Sequence, residues 1–286
     1  MAKRKEEPKV EPDFTPRRYR VSFAVYPSVP MARESALEFA KTLGARHELT
    51  DIHMSDESWV FQQPQTSQAE PRGMIRVTVE EQEIKVEHHF PAGRLERFEK
   101  LVDDVVAATR VIVNPRILLS TEITLEYVTK MGGDARQAIL DTLQLSEGDD
   151  DADKLAVFGR PCHVVGVRFM FPPYAIKKTK KAAESTEELM DKLAEPDEGS
   201  ETGHEEEEDG DEDEESEGKG EDWQVTLTIE SLVDDPHAIS VEVTGRWLGG
   251  DPWQRISELV NKRLVLVERF LHTETVAFLK HFRSEQ

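Results

Sequence analysis

Cysteine is almost absent from the chain: its 286 residues include one, Cys162. A lone thiol excludes an internal disulfide framework and suits a reducing compartment. Long apolar runs are missing as well, since no stretch approaches the roughly 20 consecutive apolar residues that a membrane helix requires. The start, Met1 to Pro8, carries Lys3-Arg4-Lys5 without the apolar run that would make it a secretory signal. These absences lead to the expectation of a cytoplasmic protein with no membrane association.

Positive charge is scarce. Lys and Arg number 36 against 58 Asp and Glu, a formal net charge of -22. Two segments hold nearly all of that excess. Residues 195–222 contain 17 Asp or Glu against the single Lys219, and Glu147, Asp149, Asp150, Asp151 and Asp153 form a second acidic run. The remainder is close to neutral, so the chain reads as ordinary folding sequence with an acidic insertion attached. This balance disfavours nucleic acid as a partner. Lys177, Lys178, Lys180 and Lys181 form the one dense basic patch, and beside so acidic a segment its simplest use is electrostatic partnership within the chain.

Signatures of chemistry are lacking too. His47, His53, His88 and His89 do not fall at metal-ligand spacing, and His88 and His89, adjacent on an expected strand, must point to opposite faces. Gly132-Gly133-Asp134 precedes a helix but lacks the Lys-Ser or Lys-Thr of a phosphate loop, and Asp134 would repel a phosphate, so a turn and helix cap is the better reading. Arg168 and Arg246 neighbour Phe169 and Trp247, yet alternation puts neighbours on opposite faces and denies them a shared stacking platform. Cys162, after Pro161, reads as a small buried hydrophobe. No catalytic, cofactor-binding or metal-binding residue is named by the sequence, and no cofactor is implied.

What the chain does contain is a repeated pattern. Val167-Arg168-Phe169-Met170-Phe171-Pro172-Pro173 echoes Val21-Ser22-Phe23-Ala24-Val25-Tyr26-Pro27, an alternating strand running into proline. A helical pattern follows each copy, at Met31 to Leu43 and Ala182 to Leu193. Ile75 to Glu80 then finds a counterpart in Val225 to Glu230, Ile84 to Glu87 in Ile239 to Glu242, and Phe98 to Val102 in Ile256 to Val260. Five pairs in one order predict an α+β fold of two related lobes, an internal duplication in which each lobe is a mostly antiparallel sheet with helices on one face.

The expected organisation is a tail over 1–16, a first lobe over 17–145, an acidic linker over 146–154, and a second lobe over 155–286 carrying the insertion 195–222. In the first lobe, the pattern predicts a helix with Leu37, Ala40 and Leu43 on one face and Gly44 as its cap. It also predicts one or two strands between His47 and Gln63, a tight hairpin over Met74–Phe90, and a helix over Arg94–Val111. A strand over Ile117–Val128 and a helix capped by Asp134 complete the lobe. In the second, Asp251 is the expected N-cap of a final helix starting at Pro252, whose period persists for some thirty residues and which either breaks near Thr273 or reaches beyond its lobe.

The functional expectation is a non-catalytic protein-interaction or adaptor subunit of an intracellular complex. An enzyme or small-ligand binder with a site between the lobes is the alternative, and a nucleic-acid accessory protein the third reading. Their structural marks differ: a flat exposed apolar patch, a pocket with convergent polar groups, or a continuous basic groove.

Overall fold

A computed structural model describes residues 13–64, 73–91, 95–143, 164–173 and 223–283. The acidic run 146–154, the insertion 195–222, Cys162, the four-lysine patch and the expected helix Ala182–Leu193 lie outside the described residues, as does the tail up to residue 12.

Strand β1 (Thr15–Tyr26) begins within the expected tail and turns Tyr19, Val21, Phe23 and Val25 into the core at alternate positions. Helix α1 (Arg33–His47) follows, then β2 (Asp51–Met54) and β3 (Ser58–Gln62), then the hairpin of β4 (Met74–Glu80) and β5 (Glu83–His89). Next come α2 (Leu95–Ile112), β6 (Ile117–Lys130) and α3 (Ala135–Thr142). Strands β7 (Gly166–Phe171), β8 (Trp223–Ser231) and β9 (Ala238–Pro252) precede the paired final helices α4 (Ile256–Phe270) and α5 (Val276–Arg283).

All nine strands join one sheet in the order β2-β3-β4-β5-β1-β6-β9-β8-β7. The fold is thus α+β with a single large antiparallel sheet, where two lobes were expected. The β4–β5 hairpin leads into α2 and the β8–β9 pair leads into α4, as matched in the sequence. The anchor strands differ in position, however, since β1 lies beside β5 whereas β7 lies beside β8. The strand order therefore does not carry the duplication. Strand patterns recur because alternation is the general solution for a half-buried strand.

Register settles which face each residue takes. Tyr19, Val21 and Phe23 lie opposite His88, Val86 and Ile84 on one side and Leu125, Ile123 and Thr121 on the other. This face receives the helices: Phe39 of α1 meets Phe61, Phe98 of α2 meets Tyr19, and Phe278 of α5 meets Phe169. In α2 the expected stripe is buried in full, with Leu95, Phe98, Leu101, Val102, Val105 and Val106 all against the core. The opposite face of the sheet carries the alternate residues, Arg18, Arg20, Glu122, Glu126 and Glu242 among them, joined by Arg18–Glu242 and Arg20–Glu122 pairs at 2.8 and 2.7 Å.

Several local expectations need correction. Helix α1 buries Ala36, Phe39 and Leu43, leaving Leu37 exposed, and it runs through Gly44 to end at Glu48 in the left-handed region. Asp251 does not cap the final helix. It belongs to the end of β9 and accepts a 2.8 Å bond from Arg263 Nη2, while a single 3-10 turn, Trp253–Arg255, starts the helix. Near Thr273 that helix neither stops nor stays regular: a π turn over Leu271–Thr275 joins α4 to α5. Asp134 does cap α3, its Oδ1 accepting from Gln137 N at 2.8 Å.

Candidate functional site

Where α1 ends beside α2, two consecutive side chains reach one carboxylate. Arg46 Nη1 donates to Asp104 Oδ1 at 2.6 Å, and His47 Nε2 lies 2.9 Å from Asp104 Oδ2. Basic residues in the last turn of α1 suit the negative end of its dipole, which favours this arrangement. The backbone there is pinned by Gln63, whose Nε2 donates to the His47 carbonyl at 2.9 Å while its Oε1 accepts from Ile75 N at 3.1 Å.

These groups border a cleft of about 720 Å³, whose further walls include His88 at the end of β5, Pro91, and Arg97 and Lys100 of α2. Arg97, Lys100 and Asp104 follow at spacings of three and four along the helix, so they share one flank beside the buried stripe. Neither Arg97 nor Lys100 has an ion pair or hydrogen bond among the described residues. His88 faces the helix side opposite Tyr19 and is half-buried. Burial, reinforced by the neighbouring His89, depresses its pKa to about 4 and keeps the ring neutral at pH 7.

A second feature lies at the other end of β1. Leu119 pairs with neither neighbouring strand, because register shifts fall beside it against both β1 and β9. It is 45 % exposed, and Tyr26, Ile117 and Leu248, the last 72 % exposed, stand around it at the rim of the sheet face that carries no described helix. This gathers four large apolar side chains where solvent reaches them.

The histidines considered in the sequence are thereby separated. His88 enters the cleft and His89 turns to the opposite face toward Arg18. His53 is exposed, 3.1 Å from Asp51, whereas His47, which reads as ordinary surface sequence, is one of the least exposed groups of the cleft, with 14 % of its side chain accessible. Among the described residues, no group of three His, Cys, Asp or Glu is placed to hold a metal ion. Gly133 is part of a turn whose carbonyl lies 3.1 Å from His237 Nδ1. Arg246 is exposed while Trp247 is buried on the other face, in line with alternation. The sequence singled out neither Arg46, Arg97, Lys100 nor Asp104. The spacing of the last three along α2 was the one available signal.

The fold and these two features define an α+β protein with one nine-stranded sheet, helices on one of its faces, and no helix among the described residues long and apolar enough to cross a membrane. Compared with family models, curated proteins and solved structures, the chain finds no match in any of the three.

Proposed function

We propose that the chain is a non-catalytic interaction subunit that docks a basic protein partner on the sheet face that carries no described helix, centred on Tyr26, Ile117, Leu119 and Leu248. The supporting observation is the exposure of these four apolar side chains together at a double register shift. Alternation turns Tyr26, Ile117 and Leu248 to this face, and the register shift leaves Leu119 exposed beside them. They are too few for a stable interface of about 1,200 Å² or more, so the contact extends over the adjoining Arg and Glu ladder. The net charge of -22, carried mostly by residues 146–154 and 195–222, supports a cationic protein as the occupant over a second copy of this chain. A reducing cytoplasm, the compartment that a single cysteine suits, is the setting of this proposal.

The test compares proteins captured from the native host by the wild-type chain and by the double variant Leu119→Lys, Leu248→Lys. Both positions are exposed, so the variant should melt as wild type does. At least one basic protein should bind the wild type and be lost from the variant and at high salt. Identical captured sets, or captured proteins that are all acidic, would rule the proposal out.

A further inference from the structure

The cleft beside α1 and α2 contains more positive charge than its own structure uses. Among the described residues Asp104 is the one carboxylate lining it, and Arg46 and His47 already occupy both of its oxygens. Arg97 and Lys100 stand one helical turn apart with no anionic partner among the described residues, in a chain where acids outnumber bases by 58 to 36. Like charges at this spacing repel, weakly because both side chains are exposed, and a negative group between them would relieve that repulsion. Convergent unpaired cations in a concavity are the arrangement that an anionic ligand completes.

We propose that this cleft binds a small phosphate ester, its phosphoryl group held by Arg97 and Lys100 and its organic part lying against Ile75 and Pro91. Two uncompensated cations match the charge of a phosphate dianion, and the planar guanidinium fork of Arg97 fits two phosphoryl oxygens at once. The neutral ring of His88 makes no hydrogen bond among the described residues and supplies one donor and one acceptor to a ligand hydroxyl or oxygen. A bare ion would fill little of this cleft, whose volume of about 720 Å³ lies in the range of sites that bind small organic molecules. The wall also mixes kinds, with Ile75 and Pro91 offering apolar contact that inorganic phosphate cannot use. This site lies toward the His88 end of the sheet, away from the Tyr26 rim, and is independent of the docking proposal.

Thermal melting of the full chain with ribose 5-phosphate, and separately with inorganic phosphate, at constant ionic strength tests it. The sugar phosphate should raise the melting temperature saturably, and inorganic phosphate should do so more weakly at equal concentration. The double variant Arg97→Gln, Lys100→Gln should melt normally without ligand, since both side chains are exposed and unpaired, and should bind about a hundredfold more weakly. Arg97→Lys should retain part of the affinity. Lys41→Gln, which removes an α1 cation paired with Glu38 outside the cleft, should bind as wild type does. Leu119→Lys, Leu248→Lys should also bind normally, which separates a failure here from a failure of the docking proposal. Equal stabilisation of the wild type and the Arg97/Lys100 double variant, a non-saturating response, or inorganic phosphate matching the sugar phosphate would each overturn the assignment.

Discussion

His88 makes the stability of the protein depend on pH. Its folded pKa, about 4, lies below its ordinary value of 6.5, so between those values the unfolded chain binds the proton more readily. The contribution is fully present above pH 6.5 and is lost as pH falls toward 4. His89 is depressed too, chiefly by burial, and acts in the same direction. Acidifying from pH 7 to 5 should therefore lower the melting temperature of the wild type more than that of His88→Gln, and equal losses would mean that the ring is more solvated than the fold indicates. Arg263 presents the opposite case of a buried charge that is satisfied. Its side chain is 5 % exposed, donates to Thr121 Oγ1 and Asp251 Oδ2 at 3.0 and 2.8 Å, and lies over the Trp247 ring. Asp251→Ala removes its counter-charge and should cost about 3 kcal/mol, the low end for a broken buried pair because Asp251 itself is 34 % exposed. Urea denaturation of the two proteins measures the difference. An Asp followed by Pro is a strong local helix-start signal, and the sequence gives no sign that an arginine twelve residues later claims the carboxylate.

Among the elements, those whose apolar spacing is uninterrupted were legible. Helix α2, the β4–β5 hairpin and the alternation of Ile123, Leu125 and Tyr127 in β6 all follow the sequence pattern, because one buried face imposes one period. Helix α1 buries a different stripe from the one that its leucines suggest. Leu37 looks as apolar as its neighbours, and only packing of Phe39 on Phe61 rotates the helix to leave Leu37 outside. The cleft was not legible at all, since His47 and Asp104 stand 57 positions apart on helices whose adjacency no local pattern encodes. The π turn between α4 and α5 has its own consequence. Thr275 is fully buried there, and its Oγ1 lacks a hydrogen-bond partner among the described residues. Replacing that hydroxyl by a methyl group keeps the shape and removes an unsatisfied polar atom. Thr275→Val should therefore stabilise the protein by about 1 kcal/mol, read as a higher denaturation midpoint with unchanged slope. A lower midpoint would show that the hydroxyl is satisfied and that the turn depends on it.

For the whole molecule, the placement of charge along the chain matters more than its total. Removing Pro196–Glu221 deletes mutually repelling carboxylates and no apolar side chain, so melting should hold or improve slightly at low salt. The association rate with a captured basic partner should fall, and its dependence on salt should become shallower, because electrostatic steering acts chiefly on the encounter. Stopped-flow mixing at two salt concentrations decides it, and an unchanged rate would leave the acidic segment without a part in docking. The order of strands has a consequence in time. The sheet is centred on β1 and β6, yet β9, the second neighbour of β6, follows it by more than a hundred residues. At a translation rate of about 5–20 residues per second, β6 emerges from the ribosome roughly 5–20 seconds before the strand that covers its edge. Throughout that interval its backbone donors and acceptors are open to any other nascent chain, so yield in the cell should depend on the chaperones that guard an unfinished sheet.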